Sequence, residues 1–211
     1  MNEFITLHGL DLFTTLLGLL YIWLEYRAHI AVWLVGIIMP MLDIWLYYSH
    51  GLYGDAGMAT YYTLAGLYGY AVWKWGPFRF RSRKKEAFNP EDEPPKSVIS
   101  HLPRRLYAPM LVAFLIVWGV TWYVLHTWTD STVPVLDAFT NALSIVALWA
   151  LSHKYVEQWL FWIVVDAVCC YLYVVKGIPF KALLYGLYVV IAVAGYRKWQ
   201  KMAKDAAAGR S

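Results

Sequence analysis

Long apolar runs separated by short polar connections dominate the chain. A run of about twenty apolar residues predicts a helix that crosses a bilayer, because a helix of that length matches the thickness of the hydrocarbon core. Seven such spans are predicted, at residues 10–25, 29–48, 54–75, 106–126, 134–152, 155–175 and 178–198. Most connections between them are very short, so neighbouring helices are expected to pack as antiparallel hairpins. The pattern therefore predicts an all-α integral membrane protein with seven transmembrane helices.

One long polar segment interrupts this pattern, with the sequence GPFRFRSRKKEAFNPEDEPPKSVISHLPRR. Its charge and proline content is typical of an exposed linker. The predicted organisation accordingly has five parts. They are a first three-helix unit at 10–75, the linker at 76–105, a connecting transmembrane helix at 106–126, a second three-helix unit at 134–199 and a tail at 200–211.

The two three-helix units are similar to each other in sequence. LDLFTTLLGLL begins at Leu10 and LDAFTNALSIV at Leu136, and a gapless shift of 126 residues gives 17 identical pairs among the 64 positions of 10–73 and 136–199. Unrelated apolar sequences would share roughly one residue in ten, so the chain is interpreted as a duplicated unit. With a single span between them, both copies enter the bilayer from the same side. This predicts a parallel 3+1+3 repeat about an axis along the membrane normal, as in SWEET-type transporters, whereas the alternative is that duplication only built a larger bundle.

Composition agrees with a membrane setting and excludes other classes of protein. The 211 residues are 60% hydrophobic and 15% charged, which leaves too little polar surface to cover a soluble core. The net charge of +4 does not indicate nucleic-acid binding, because the basic residues cluster in the loops. Sixteen Lys and Arg residues fall on one side of the predicted bundle and two, Lys176 and Lys181, on the other. This excess predicts an N-terminus outside and a C-terminus, like the 76–105 linker, in the cytoplasm.

The second helix of each copy carries a helical stripe that combines aromatic rings with an aspartate. The stripe residues are Trp33, Asp43 and Tyr47 in the first copy and Trp159, Trp162 and Asp166, with Gln158 beside them, in the second. A carboxylate near the bilayer centre costs about 2.5–3.5 kcal/mol on insertion scales, so it is expected to face a partner or a wet cavity. Aromatic faces attract cations. The stripes therefore predict a site for a small, flat solute that is positively charged or carries a ring.

Tyrosines in the third helix of each copy extend this predicted site. Tyr62 and Tyr188 are equivalent positions of the repeat, and Tyr185 lies one turn before Tyr188. Tyr47 and Tyr62 are expected to close the cavity from the first copy.

Several of these residues also fit a structural role. For Trp33 and Trp159, which follow short loops, the alternative is an anchor at the level of the lipid headgroups. For Asp166 the alternative is a partner on another helix, and for the tyrosine pair it is packing. The aspartates that open the two copies, Asp11 and Asp137, fall in the first turn of their helices, where the helix dipole favours a carboxylate.

The sequence contains no motif of a soluble enzyme or an ATP-driven motor. HExxH, P-loop and GxSxG patterns are absent and the six histidines are scattered, so no catalytic residue, metal or cofactor is predicted. Two alternatives to a transporter are a membrane-embedded enzyme, which would need a catalytic constellation, and a sensor or scaffold that recruits a partner through the linker.

The segments ALSIVALWALSHKYVEQWLFWIVVDAV, KGIPFKALLYGLY and AGYRKW resemble the Pnu family of bacterial vitamin transporters, whose best-known members carry nicotinamide riboside. GLYGD and LYGYAVWKW in the first copy extend the resemblance over nearly the whole chain. The resemblance implies uptake through the bacterial inner membrane by uncoupled facilitated diffusion, with a cytoplasmic kinase that phosphorylates and traps the vitamin. It also implies a homotrimer.

By this resemblance, Trp159 and Trp162 match tryptophans that line the substrate site, and Tyr185 matches a tyrosine of the seventh helix. Nicotinamide riboside carriers tend to have ENW where this chain has EQW, and asparagine at the position of Asp166. They also carry amides in the third helix at positions aligned with Ala59 and Gly66. Thiamine, which is also flat, aromatic and cationic, is therefore an alternative substrate, as are riboflavin and deoxynucleosides.

Overall fold

The computed structural model describes residues 16–49, 53–76, 98–129, 133–175, 177 and 179–208. Within them the backbone forms seven α-helices and one short 3-10 turn. In chain order the helices are α1 Leu16–Tyr26, α2 Ala31–Ser49, α3 Tyr53–Trp75, α4 Tyr107–Trp128, α5 Pro134–Ser152, α6 Gln158–Val175 and α7 Pro179–Ala207, and the 3-10 turn is Arg104–Leu106. The all-α architecture is confirmed, and the seven helices follow the order of the predicted spans. Asp11 and the beginning of the first span lie outside the described residues.

Four of the described helices are long and apolar enough to cross a bilayer. They are α5, α6, α7 and the stretch Arg104–Trp128 that contains α4. Two shorter apolar stretches, Leu16–Tyr26 and Ala31–Trp45, belong to α1 and α2. Pro134 and Pro179 begin α5 and α7, at a position where the missing N–H has no helical acceptor to lose. Asp137 lies in the first turn of α5, as predicted.

Two segments that the polar pattern assigns to a tail and a linker are ordered. α7 continues to Ala207, so most of the predicted tail is helical. Near the end of the predicted linker, Ile99 and Leu102 are only 9% and 4% exposed, so the exposed-linker interpretation is wrong for these residues. Apolar side chains within a polar stretch are buried here because the backbone beside them pairs with the turn before α6.

The chain forms two compact units, which are larger than the two predicted three-helix units. They are Met1–Ser82, called the first unit from here on, and Arg83–Ser211, called the second unit. In the first unit, Trp33 lies edge to face with Trp73, with 5.7 Å between ring centroids and 84° between ring planes. In the second unit, Trp159 lies edge to face with Trp199 at 5.9 Å and 84°. The same tryptophan contact therefore holds α2 to α3 and α6 to α7.

Glycines on α3 and α7 let these tryptophans approach the neighbouring helix. A Cβ atom on Gly195 would lie 2.7 Å from the Trp159 ring, and one on Gly69 would lie even closer to the Trp33 ring. A glycine inside a helix costs up to about 1 kcal/mol relative to alanine. Packing of the indole against the bare backbone offsets that cost.

Gly195→Ala should destabilise the protein, because the new methyl group would collide with the rigid indole of Trp159. Overpacking of this kind typically costs about 1–3 kcal/mol. The measurement is thermal unfolding of the purified protein in detergent, with Gly119→Ala on α4 as the control. A Cβ at Gly119 meets nothing within 4 Å, so the control should unfold at the wild-type temperature or slightly above it. Equal effects of the two substitutions would refute the close packing of Trp159 on α7.

The turns before α2 and α6 also share one backbone geometry. Ala28 and Lys154 both adopt the left-handed conformation, with φ of 52° and 55°, which is uncommon outside glycine. The hydrogen bonds that close the two turns are His29 N–H to the Leu24 carbonyl (2.9 Å) and Tyr155 N–H to the Ala150 carbonyl (3.0 Å). The spacing between corresponding residues is the 126-residue offset of the sequence repeat.

Aromatic side chains hold α4 against α5. Phe114 and Trp118 of α4 each lie edge to face with Phe139 of α5, at 5.5 and 5.7 Å between ring centroids. The Trp118 indole N–H donates to the Val135 carbonyl at 3.2 Å. No residue of α4 is buried within the chain, so this helix meets the rest of the second unit along one narrow face.

Candidate functional site

A line of polar groups runs along one face of α6. Gln158, Trp162 and Asp166 are spaced by four residues, which places them one above another on the helix. Gln158 is fully buried, Asp166 is 8% exposed and Trp162 is half-buried. The name polar stripe is used below for these three residues.

Buried polar atoms of two stripe residues, Gln158 and Trp162, lack hydrogen-bond partners. Both amide atoms of Gln158 and the indole nitrogen of Trp162 are buried and bond to nothing within the described residues. Leaving a buried polar group unpaired costs about 1–3 kcal/mol, and such groups are rare in folded proteins. An unpaired donor and acceptor beside an aromatic ring is the arrangement that a polar, ring-bearing ligand would satisfy.

Helix α7 brings further polar and aromatic groups to the stripe. Asp166 lies on α6, and Tyr185 and Tyr188 lie on α7, the helix that packs against α6. The Tyr185 ring stacks on Tyr173 of α6 at 5.2 Å and lies edge to face with Tyr188 at 5.6 Å. The second unit therefore gathers a carboxylate, phenol groups and an amide from the predicted set around one helix pair.

Trp159 and Trp33 have packing contacts that the sequence did not reveal. They are 2% and 1% exposed and lie against a glycine and a tryptophan of the neighbouring helix. Such burial inside a helix pair does not fit an anchor at the headgroup level. It favours a packing role. The indole nitrogens of Trp159 and Trp162 are both unpaired, but only the Trp159 ring lies against Gly195 and Trp199, so Trp162 is the better candidate for ligand binding.

The predicted residues of the first unit are less informative. Asp43 is half-buried on α2, and Tyr62 lies edge to face with Tyr61 at 5.5 Å. The side chain of Tyr47 lies outside the described part of the structure. A role for these residues in substrate binding stays a prediction.

The polar stripe has no polar counterpart in the first unit. At the 126-residue offset, Gln158 corresponds to Val32, Trp162 to Gly36, and Asp166 to Pro40. Val32 and Gln158 are both fully buried, so a valine fills in one unit the position that an amide fills in the other. The two units thus share their turns and their tryptophan packing and differ where the buried polar chemistry lies.

A contact that the sequence did not predict adjoins the stripe. The Glu157 carboxylate pairs with His101 Nδ1 at 2.8 Å and accepts a hydrogen bond from the Leu102 N–H at 2.8 Å. Beside it, burial raises the pKa of the Tyr155 phenol, while Arg105 opposes that shift and Glu157 adds to it. No local periodicity could have revealed these contacts, because they join distant parts of the chain.

The described residues show no cluster of side chains for metal binding. Within those ranges no three His, Cys, Asp or Glu side chains are grouped to hold a metal ion. Cys169 and Cys170 are free thiols.

Comparison with known proteins gives matches over most of the chain. Residues 8–201 match the nicotinamide mononucleotide transporter family. The chain is 29% identical over 197 residues to the nicotinamide riboside transporter PnuC of Neisseria mucosa, covering 89% of this chain and 70% of that protein. It is 25% identical over 189 residues to the riboflavin/roseoflavin transporter RibM of Streptomyces davaonensis, covering 90% and 83%. A crystal structure of the vitamin B3 transporter PnuC superposes with a TM-score of 0.63 at 26% identity, covering 90% of this chain and 80% of that one.

Proposed function

Because the chain belongs to the nicotinamide mononucleotide transporter family, and is therefore a multi-pass transporter of the bacterial inner membrane and not an enzyme, we propose that it carries a small aromatic, cationic vitamin into the cell. The observation that carries this proposal is the buried, unpaired Gln158 amide together with the unpaired indole nitrogen of Trp162 on α6. Nicotinamide riboside is the first candidate substrate, and it is the vitamin named for the Neisseria relative.

Each group of the stripe matches one feature of such a molecule. The Gln158 amide offers one donor face and one acceptor face, which suit a carboxamide or an aminopyrimidine edge. The Trp162 indole suits a flat ring, and its face attracts a cation. When it is ionised, Asp166 supplies a negative charge at a buried position, where salt screens charges less than in water. Nicotinamide riboside and thiamine have all three features.

Riboflavin is the second candidate, because a relative that transports it aligns over 90% of this chain. Its ring system also presents adjacent donors and acceptors to an amide and a flat face to an indole. It carries no positive charge, however, so it leaves Asp166 without a partner. The charge of the preferred solute therefore separates the two candidates.

Asp166→Asn should discriminate between them. The substitution keeps the shape of the side chain, removes the charge and introduces the residue that nicotinamide riboside carriers tend to have. The affinity for thiamine should therefore fall by about tenfold, the contribution of one charge-assisted contact, and the affinity for nicotinamide riboside should fall by less. The affinity for riboflavin should change by less than about twofold. Isothermal titration with each vitamin measures these values. Equal changes for charged and neutral vitamins would show that Asp166 is structural.

Transport is proposed to be uncoupled, with the vitamin phosphorylated and trapped by a cytoplasmic kinase, and with the N-terminus outside. The two triplets, 10–73 and 136–199, are proposed to be parallel copies of one unit. Their shared turn and tryptophan packing support this.

A homotrimer is also proposed, with the bilayer around it. The apolar surface of α4, which stays uncovered by its own chain, supports an environment of lipid or of other subunits.

Binding and flux measurements test the function together. Nicotinamide riboside, thiamine, riboflavin and a neutral deoxynucleoside are each added to the purified protein, and the cationic vitamins should raise the unfolding temperature most. In proteoliposomes without a kinase, the labelled vitamin should enter until its concentrations are equal and then stop. Accumulation driven by a sodium or proton gradient would contradict uncoupled transport. Binding of none of these compounds would refute the proposed substrate class.

A further inference from the structure

The last residues of the polar segment between α3 and α4 are bound to the turn that precedes α6. Ser100 and Tyr155 form a parallel bridge, in which the Ser100 N–H donates to the Lys154 carbonyl at 3.2 Å and the Val156 N–H donates to the Ser100 carbonyl at 3.0 Å. Residues 99–102 are called the clamp segment here. It lies within the second unit, like the stripe itself.

Glu157 is the side chain that joins this segment to α6. One carboxylate oxygen pairs with His101 Nδ1, and the other accepts a hydrogen bond from the Leu102 N–H; both distances are 2.8 Å. The Glu157 side chain is 14% exposed, so these contacts are partly shielded from water. Ile99 and Leu102 are buried on either side of His101, which fixes the clamp segment by apolar packing as well.

Glu157 directly precedes α6, which begins at Gln158. Its carbonyl accepts the first helical hydrogen bonds, from the N–H groups of Leu160 at 3.0 Å and Phe161 at 3.4 Å. Gln158 and Trp159 follow directly, and both are buried. Movement of Glu157 would therefore move the first turn of α6, which carries the Gln158 amide.

The first unit shows what the same turn looks like without this contact. Ala31 stands at the position of Glu157, and Val32 at that of Gln158. The backbone hydrogen bonds of the two turns are nevertheless closely alike: Val32 N–H to the His29 carbonyl is 3.0 Å and Gln158 N–H to the Tyr155 carbonyl is 3.3 Å. A turn of this geometry thus forms without a carboxylate. Of the two units, the second has both the glutamate, Glu157, and the buried amide of Gln158.

We propose that Glu157 is a positioning residue for substrate binding: by holding the clamp segment against the turn before α6, it fixes the orientation of the Gln158 amide. This inference rests on the proposed function, because it assigns Glu157 a role in the site that Gln158 forms. The Gln158 amide makes no hydrogen bond to any described residue. Its orientation therefore depends on the backbone that carries the side chain. A ligand that needs a donor and an acceptor in fixed places binds more tightly when the amide is already held in one orientation, because less conformational freedom is lost on binding.

Hydrogen exchange of the intact protein without substrate tests the clamp itself. In Glu157→Ala, the amides of residues 99–102 and 156–160 should exchange at least about tenfold faster than in the wild type, because a local opening becomes easier. Glu157→Gln keeps an acceptor for the Leu102 N–H and should give an intermediate rate. Unchanged exchange in Glu157→Ala would overturn the proposal.

Titration with nicotinamide riboside tests the consequence for binding. Glu157→Ala should raise Kd by about tenfold in the wild-type background but by less than about twofold in a Gln158→Leu background, because the two residues act in series. Glu157→Gln should recover part of the loss. Asp205→Ala, which removes a carboxylate from the end of α7, is the matched control and should leave Kd unchanged.

The outcomes separate the proposal from the function on which it rests. Full additivity of the Glu157 and Gln158 substitutions, or an unchanged Kd in Glu157→Ala, would overturn the positioning role while the substrate assignment stands. If the wild-type protein bound no vitamin of the panel, the proposed function would fail, and the exchange data would still decide whether Glu157 fixes the first turn of α6.

Discussion

Replacing Trp162 by alanine should weaken vitamin binding by about 1–3 kcal/mol, or about 5- to 150-fold in Kd. The substitution removes a whole aromatic face from the polar stripe, and no neighbouring residue on α6 can replace it. Trp159, one turn away, has its ring against Gly195 and Trp199. The loss should appear for charged and neutral ring-bearing vitamins alike, because stacking does not depend on the charge of Asp166.

Trp128→Ala provides the control for this experiment. Trp128 is 73% exposed at the end of α4, so its removal takes away an equal aromatic surface without touching the stripe. Isothermal titration of both variants should show a weaker affinity only for Trp162→Ala. A Trp162→Ala protein with wild-type Kd for every vitamin of the panel would remove Trp162 from the site.

Gln158→Leu should change stability and affinity in opposite directions. The buried amide is unpaired, so an apolar side chain of similar size should stabilise the ligand-free protein by about 1–3 kcal/mol. The same change should raise Kd by about 10- to 100-fold, since the vitamin then buries its own polar edge without a partner. Thermal unfolding without ligand and titration with nicotinamide riboside measure the two effects. A lower unfolding temperature with an unchanged Kd would show that the amide serves the fold and not the substrate.

This opposition is the expected mark of a binding residue. A group kept for the fold is paired inside it, whereas a group kept for a ligand lowers the stability of the ligand-free state. Val32, at the equivalent position of the first unit, shows that the backbone there accepts an apolar side chain. Leucine at 158 is therefore close to a substitution already present elsewhere in the chain.

Much of the fold could be predicted from hydrophobicity alone, because the bilayer imposes the length of each apolar run. The end of α7 could not be predicted in this way. Beyond residue 198 the chain reads WQKMAKDAA, whose polar residues end the apolar signal although most of them are good helix formers. Hydrophobicity marks where a span leaves the apolar layer, and the helix continues past that point to Ala207.

The burial of Ile99 and Leu102 could not be predicted for a different reason. Both lie among prolines, charges and polar residues, so a local average hides them. Their burial depends on contacts with the turn before α6, which is distant in sequence. Such contacts leave no periodic pattern.

The candidate site was only partly accessible from the sequence. Helical spacing placed Trp159, Trp162 and Asp166 on one stripe with Gln158 beside them. It could not show that Trp159 packs on α7. The repeat contained the missing information. Trp33, Gly69 and Trp73 are identical to Trp159, Gly195 and Trp199, and these identical residues form the packing contacts. Gln158, Trp162 and Asp166 lie at positions where the two three-helix sequences differ, so divergence was the better guide to the candidate site.

The continuation of α7 has a practical consequence for imaging the transporter. A small protein embedded in a detergent micelle offers few features by which electron microscopy can align particle images. From Trp199 to Ala207 the helix rises by about 12 Å, and its last turns carry exposed lysines at 201 and 204. A rigid helical fusion partner joined in register after Ala207 would thus extend α7 as one continuous rod and serve as a fiducial marker outside the micelle. The rod would leave the polar stripe untouched, so ligand-bound and ligand-free states could both be imaged.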